Sequence, residues 1–215
     1  MRILDLFCGA GGAAMGYRRA FPDAVIIGVD INPQPHYPFR FVLGDAMGVL
    51  ERLPLARLFD LVHASPPCQA SSNLTKGTNA GREYQQLIPA VREALVATGV
   101  PFVIENVQGS DLRRDAVLCG EMFGLDVIRH RYFECSFPVD PPAHRPHRGR
   151  VRGWRHGVYH DGPYLAVYGE GGGKGSVAEW QAAMGIHWTD DRKAIAEAIP
   201  PAYTEWIGNQ LKGQR

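Results

Sequence analysis

The sequence predicts an α/β protein built on a doubly wound, mostly parallel sheet of the Rossmann type. Two observations carry this prediction. Short apolar runs alternate with helix-compatible stretches through about Val107, and the first run leads into a glycine-rich turn that opens a helix. Strands separated by helices need crossover connections, which produce a parallel sheet covered on both faces.

Five apolar runs in the first half are predicted strands. In order they are RILDLF, DAVIIGVD, FRFVLGDA, FDLVHAS and PFVIENV. One helix follows the turn GAGG, and another is predicted within REYQQLIPAVREALVATG, where Leu87, Val91 and Leu95 share one face.

Beyond Arg131 the composition of the sequence changes. The segment PVDPPAHRPHRGRVRGWRHG holds five arginines, three histidines and four prolines, with few apolar positions to bury. It is therefore interpreted as a loop-rich insertion. Past GEGGGKG, helices are predicted in SVAEWQAAMGI and in DRKAIAEAIPPAYTEWIGNQL, with a break at the double proline. The predicted division is a catalytic domain at 1–132, an insertion at 133–176 and C-terminal helices at 177–215.

Composition sets broad limits on the function. The 215 residues are 45% hydrophobic and 21% charged, which suits one sizeable core. The net charge of +1 gives no overall basic signature, so a nucleic acid would have to meet a local patch. No run approaches the roughly 20 apolar residues of a membrane span, and no signal-peptide pattern follows Met1. A cytoplasmic protein without membrane contact is expected.

The cysteines predict neither a disulfide framework nor a metal site. Cys8, Cys68, Cys119 and Cys135 show no CxxC spacing. A zinc site built from Cys135, His144 and His147 has irregular spacing and lacks a fourth ligand. No metal is therefore predicted.

The glycine-rich turn predicts a nucleotide cofactor. Gly9 to Ala14 satisfy G-x-G-x-x-A between a strand and a helix, and Asp30 ends the next strand about 20 residues later. The turn suits a nicotinamide cofactor and S-adenosylmethionine (SAM) equally well. Asp45 is either an acceptor for the adenine amino group or a helix cap.

A second candidate site lies at the ends of the fourth and fifth strands. The double proline in HASPPCQASS ends the strand and stiffens the loop that carries Cys68. That thiol is either a buried small hydrophobe or a nucleophile. His63, on the strand, is interpreted as structural. Glu105, after an apolar run, is expected to have a raised pKa, and in a doubly wound sheet it would share a crevice with Cys68 and the glycine turn.

These motifs together resemble a known family. DLFCGAGG, SPPCQ, ENV, the two arginines of IRHRYFE and AIPPAYTEWIG occur in the order seen in DNA (cytosine-5)-methyltransferases. The chain is similar to a compact member of that family with a very short target-recognition region. The resemblance implies a SAM-dependent methyltransferase that flips cytosine out of the duplex and methylates C5 through a covalent bond from Cys68 to C6.

The resemblance also implies roles for particular residues. The cofactor would be held by Phe7, Gly9, Ala10, Gly11, Gly12, Asp30, Asp45 and Pro66. The catalytic set would be Cys68 as nucleophile, Glu105 at the cytosine ring, and Arg129 and Arg131 at the ring oxygen and the phosphate. The C-terminal helix around 202–208 would pack back against the cofactor pocket.

Double-stranded DNA that contains cytosine is the expected partner, with no obligate protein partner. The predicted DNA-binding residues are Gln69, Ser71, Arg145, Arg148, Arg150, Arg152 and Arg155. Arginines in such a short insertion suit phosphate contacts, which position a protein without reading sequence, so a short or relaxed target is predicted. The chain departs from the family at Asp30, where Glu is usual, and at Lys174, the only cation where an arginine-containing motif is usual.

Several alternatives stay open at the level of sequence. The substrate could be RNA, or the group added at C5 could be larger than methyl. A nicotinamide-dependent oxidoreductase would explain the glycine turn but leaves SPPCQ and ENV without a role. A non-catalytic DNA-binding relative would have lost catalytic residues, whereas Cys68, Glu105 and Arg131 are all present. The small size fits a stand-alone modification enzyme of a phage or mobile element.

Overall fold

The structure is a computed structural model that describes residues 1–67, 87–155, 157–168 and 175–214. Its strands are β1 (Arg2–Leu6), β2 (Val25–Asp30), β3 (Arg40–Leu43), β4 (Leu61–Ala64), β5 (Phe102–Val107), β6 (Ala116–Leu118), β7 (Arg131–Cys135), β8 (Gly153–Arg155) and β9 (Val158–His160). Its helices are α1 (Gly12–Ala20), α2 (Ala46–Arg52), α3 (Leu55–Leu58), α4 (Ile88–Thr98), α5 (Val177–Met184), α6 (Arg192–Glu197) and α7 (Pro201–Lys212).

Seven strands form one sheet in the order β3-β2-β1-β4-β5-β7-β6. The pairs from β3 to β5 are parallel, and β7 runs antiparallel to both of its neighbours. The predicted doubly wound, Rossmann-like α/β fold is confirmed. The strand order reverses between β1 and β4, and ligands of such sheets bind beyond the carboxyl ends of the strands at that point.

Burial explains why the central strands form. Every residue of β4 is buried, and so are the first five residues of β5, as expected where helices cover both faces of a parallel sheet. The sequence predicts these strands because their apolar runs are uninterrupted. It does not predict β6 and β7, which extend the sheet beyond Val107, nor α2 and α3. Because β7 continues to Cys135, the irregular part of the insertion begins after that residue.

The C-terminal helix packs tightly on α1, which places it behind the glycine turn. Thr204 Oγ1 donates to the carbonyl of Ala13 at 2.8 Å. A Cβ atom at Gly16 would collide with the Pro201 carbonyl and Thr204 Oγ1, so these two helices meet backbone to backbone. The longest described helix, α7, has 12 residues. In the part of the chain that the structure describes, no helix is long and apolar enough to cross a membrane.

We expect Gly16→Ala to lower the free energy of unfolding by about 1–3 kcal/mol, because the added methyl overpacks a rigid helix contact. Gly48→Ala is the matched control. Gly48 lies within α2, and the nearest atom to its Cβ would be Asp45 Oδ2 at 3.5 Å. That substitution should be neutral or stabilise the protein by up to about 1 kcal/mol, as alanine does in helices. Urea unfolding measures the free energy of unfolding of both variants. Equal effects would show that the contact between α1 and α7 can accommodate the added methyl group.

Candidate active site

The glycine turn after β1 has a strained, open geometry. Phe7 has a φ of 56° and is the only non-glycine residue with positive φ in the described ranges. Gly9 follows with a φ of 47°. A Cβ at Gly9 would have no atom within 4 Å, so the backbone there borders open space. Strain of this kind persists where the surroundings enforce it, and it clusters at ligand sites.

Asp30 braces this turn from the end of β2. Its Oδ2 accepts from the Gly9 N–H at 3.1 Å, and its Oδ1 accepts from the Asn32 N–H at 2.9 Å. Each oxygen keeps a second lone pair, and the residue is half-buried, so a ribose hydroxyl could still donate to it. The carboxylate and the open backbone at Gly9 therefore fit the nucleoside part of SAM.

Asp45 occupies the N-cap of α2. Its carboxylate accepts from the Met47 N–H at 3.2 Å and from the Gly48 N–H at 3.1 Å. This is the capping alternative that the sequence left open. The adenine contact of Asp45 stays a prediction.

The next three residues of the turn contact protein on at least one side. A Cβ at Gly11 would lie 2.7 Å from Pro38 Cδ, and one at Gly12 would collide with the Ile199 carbonyl. The Ala10 carbonyl accepts from Trp188 Nε1 at 2.9 Å. Packing against the C-terminal segment therefore accounts for Gly12, and packing against Pro38 and Tyr37 accounts for Gly11.

Glu105 and Arg131 form a buried ion pair where β5 and β7 lie side by side. Arg131 Nε lies 3.1 Å from Glu105 Oε1, and the two side chains are 15% and 7% exposed. Burial raises the pKa of Glu105, while Arg131, a hydrogen bond from Ser65 and the charge of Arg129 oppose that rise. The raised pKa agrees with the expectation from sequence. Burial favours the protonated form of a carboxyl group, and that form can donate a proton.

A series of hydrogen-bonded polar side chains, those of Tyr17, His63 and Ser65, leads to Glu105. Tyr17 OH lies 3.0 Å from His63 Nδ1, and His63 Nε2 lies 3.0 Å from Ser65 Oγ. Burial lowers the pKa of His63 from 6.5 to about 3, so the ring is neutral. Since Ser65 donates to Glu105, we infer the tautomer in which His63 Nε2–H donates to Ser65 and Nδ1 accepts from Tyr17. His63 thus has the structural role expected of it, and it helps to orient Ser65 toward the Glu105 carboxyl.

Asn106 ties this strand to the loop that precedes the predicted nucleophile. Its Nδ2 donates to the Pro66 carbonyl at 2.9 Å, and its Oδ1 accepts from the Val107 N–H at 2.9 Å. Pro66 is buried, two positions before Cys68. Cys68 itself lies outside the described residues, as do Gln69 and Ser71. The ENV and SPPC motifs are therefore joined by a direct hydrogen bond.

Comparison with known proteins identifies the family. A family model described as C-5 cytosine-specific DNA methylase matches residues 1–115. The chain belongs to this family. Its family and fold are those of methyltransferases, and they imply the use of SAM. This assignment decides against the nicotinamide-dependent oxidoreductase. No curated protein matches the chain.

A solved methyltransferase structure supports the fold of this methylase. The Entamoeba histolytica methyltransferase EhMeth is 12% identical to this chain. The two structures superpose with a TM-score of 0.60, and the match covers 100% of this chain and 98% of that chain. A Spodoptera frugiperda DNMT2 mutant (E260A/E261A/K263A) is 19% identical, with a TM-score of 0.43, and covers 66% of this chain. The methylase spans 53% of the length of that DNMT2 chain.

Arg129 of the methylase is buried and bonded to the protein backbone. Its guanidinium donates to the Val167 carbonyl at 3.0 Å and to the Ala196 carbonyl at 2.5 Å. Its own carbonyl accepts from Tyr203 OH at 2.7 Å. Arg129 therefore links the start of β7 to the C-terminal helices, whereas Arg131 forms an ion pair with Glu105. A substrate contact of Arg129 stays a prediction.

Two of the predicted DNA-binding arginines pair with carboxylates of the methylase itself. Arg148 Nε lies 2.8 Å from Glu121 Oε1, and its guanidinium stacks on Tyr164 with 5.5 Å to the ring centroid. Arg152 lies 2.6 Å from Glu179 Oε1. These contacts shape the insertion and reduce the positive charge that it offers to a phosphate backbone.

Two other arginines of the insertion are exposed. Arg145 and Arg150 form no ion pair with any residue that the structure describes. The hairpin of β8 and β9 presents Trp154, 69% exposed, in edge contact with Tyr159. The side chain of Arg155 lies outside the part of the chain that the structure describes. Exposed cations can contact phosphates, and exposed aromatic rings can stack on bases.

Proposed function

We propose that this methylase transfers a methyl group from SAM to C5 of cytosine in double-stranded DNA through a covalent bond between Cys68 and C6. The observation that supports this best is the buried Glu105–Arg131 pair, which Asn106 connects to the rigid Pro66 turn. It brings a protonatable carboxyl and a cation to the rim where the nucleophile loop begins.

The cofactor would bind at the carboxyl ends of β1 and β2. The open backbone at Gly9 and the lone pairs of Asp30 would hold its nucleoside part, with Phe7 beside it. When bound, SAM supplies an electrophilic methyl group. Methylases of this kind still need the protein to activate C5, because that carbon is a weak nucleophile.

The side chains of the chain supply that activation. The Cys68 thiolate adds to C6 while Glu105 gives its proton to N3, so C5 becomes part of an enamine. Arg131 donates to O2, where negative charge builds. C5 then takes the methyl group and loses its proton to water. Expulsion of the Cys68 sulfur restores the ring, and the N3 proton returns to Glu105.

The choice of DNA rests on the family description and on the exposed cations of the insertion. Arg145 and Arg150 could contact phosphates of a duplex, and the base must leave the stack to reach the buried carboxyl. Methyl transfer from labelled SAM to matched cytosine-containing DNA and RNA duplexes tests the choice. Transfer to the DNA supports the proposal, and transfer to the RNA alone overturns it.

Cys68→Ser should lower methyl transfer by at least about 10³-fold, because loss of a covalent nucleophile removes most of the rate enhancement. SAM affinity, measured by calorimetry, should stay within about twofold of wild type. A duplex with 5-fluorocytosine should form a stable adduct with the wild-type protein in the presence of SAM, because fluorine at C5 cannot leave as a proton.

Cys135→Ser is the matched thiol control. Cys135 is buried in β7 and has no role in the proposed chemistry, so this variant should form the adduct as the wild type does. Peptide mass spectrometry should locate the adduct on Cys68. An adduct on another residue, or methyl transfer retained by the Cys68 variant, would overturn the proposed nucleophile.

A further inference from the structure

Four side chains with typical metal-ligand chemistry meet beside the insertion. Cys119, His130, His144 and His147 each offer one ligand atom, and these atoms lie within 4.8 Å of one another. Cys119 follows β6, His130 precedes β7, and the other two come from the irregular segment after β7. One thiol and three imidazoles, with no carboxylate among them, form a ligand set that zinc prefers.

One pair of ligand atoms already has the spacing that a small tetrahedral ion requires. His130 Nε2 and His144 Nε2 lie 3.2 Å apart. Two nitrogens bound to one zinc at about 2.0 Å in tetrahedral geometry would be about 3.3 Å apart. The three imidazole rings surround one point, with centroids 5.1, 5.3 and 4.8 Å from one another.

A carboxylate orients one of the imidazoles, as in many zinc sites. His147 Nδ1 lies 2.7 Å from Glu121 Oε2, which leaves Nε2 of that ring as the ligand atom. Glu121 is itself held by Arg148 Nε at 2.8 Å. Partners that fix the far nitrogen of a histidine set its tautomer and typically raise metal affinity about 10- to 100-fold.

We propose that Cys119, His130, His144 and His147 bind one zinc ion. Four protein ligands close the coordination shell, so the ion is structural and has no open position for a substrate. The site would join the insertion to the edge of the sheet. It would also fix the start of β7, because His130 directly precedes Arg131 and its carbonyl accepts from Arg131 Nη1 at 2.9 Å.

The sequence does not predict this site because its ligands are far apart along the chain. The pattern is Cys119-x10-His130-x13-His144-x2-His147, which lacks the paired spacings of zinc fingers. Cys135, the cysteine considered from sequence, lies within the core cluster that includes Phe133. The fold supplies Cys119 in its place.

Metal analysis of the purified 215-residue chain tests the proposal directly. The wild-type protein should hold one zinc per chain after zinc loading and desalting. Cobalt loading should give the intense visible bands of a tetrahedral site together with a thiolate-to-cobalt charge-transfer band. A wild-type protein that retains less than about one tenth of an equivalent would overturn the proposal. None of these readouts depends on methyl transfer, so they test the zinc site independently of the proposed function.

Variants assign the ligands. His144→Ala removes an exposed ligand and should abolish stoichiometric zinc retention while circular dichroism shows a folded chain. His160→Ala, in the same insertion but outside the cluster, should retain the metal. Cys119→Ser should lose the thiolate-to-cobalt band, whereas Cys135→Ser should keep it. The reverse result for the two cysteines, or full zinc retention by His144→Ala, would overturn the assignment.

Glu121→Gln tests the orienting carboxylate. The amide cannot accept a charge-assisted hydrogen bond from His147, so zinc affinity should fall about 10- to 100-fold. Competition with a chromophoric chelator measures the change. Unchanged affinity would show that Glu121 does not support the ligand.

Discussion

Glu105→Gln should lower kcat for cytosine methylation by about 10²- to 10⁴-fold, the range that general acid catalysis supplies. The amide keeps the size of the carboxyl but has no acidic proton to transfer to N3. Because Glu105 lies on β5, whereas the residues assigned to the cofactor lie at the ends of β1 to β4, SAM affinity should change by less than about threefold. Single-turnover transfer from labelled SAM and calorimetry measure the two quantities.

Glu134→Gln is the matched control for this variant. Glu134 is also buried, lies on the neighbouring strand β7 and is paired with Arg92 at 2.8 Å, but it faces α4 rather than the site. This substitution can lower stability, yet kcat per folded molecule should stay within about threefold of wild type. Equal losses of kcat in both variants would show that the effect of position 105 comes from packing.

The pH dependence of kcat separates acid catalysis from packing. Burial raises the pKa of Glu105, and the proton is needed for catalysis, so kcat should fall as pH rises through that pKa. Arg131→Gln removes a charge that lowers the pKa of Glu105, so the decline should move to higher pH. Glu105→Gln should lack this decline altogether. A decline that stays unchanged in Glu105→Gln belongs to another group.

Local patterns explain how far the fold is predictable from sequence. The runs that became β1, β2, β4 and β5 are apolar because helices cover both faces of the sheet, and the glycine turn is a local motif. Strand β7 was not predicted, because Arg131 and Glu134 interrupt its apolar pattern. Both charges are neutralised by partners distant in sequence, Glu105 and Arg92.

The candidate site was predictable in residue type but not in its connections. The motifs mark Glu105 and the glycine turn, because each needs a particular residue at a strand end. The bond from Asn106 to Pro66 and the contact of Tyr17 with His63 join residues that are 40 and 46 positions apart. Arg148 likewise pairs with a residue distant in sequence, because its carboxylate partner Glu121 lies 27 positions earlier in the chain. Such pairings are set by the packed structure, so composition overestimates the charge that is available to DNA.

The neutral state of His63 makes an acid-sensitive contribution to stability. In the unfolded chain this histidine takes up a proton below about pH 6.5, whereas in the folded chain the pKa is about 3. Between these values the unfolded state binds more protons. The free energy of unfolding should therefore fall with decreasing pH, with a contribution from His63 of up to about 1.4 kcal/mol per pH unit.

His63→Gln should remove that slope while it weakens the bonds to Tyr17 and Ser65. At about pH 7 the variant should be less stable than wild type by about 1–3 kcal/mol, the cost of poorly satisfied buried polar groups. Because only the wild type has the His63 slope, the difference should shrink as pH falls toward about pH 4. Urea unfolding across this range gives both curves, with His187→Gln, an exposed histidine, as the control expected to follow wild type. Parallel curves for wild type and His63→Gln would mean that His63 takes up its proton inside the fold, and a neutral ring could then no longer orient Ser65 toward Glu105.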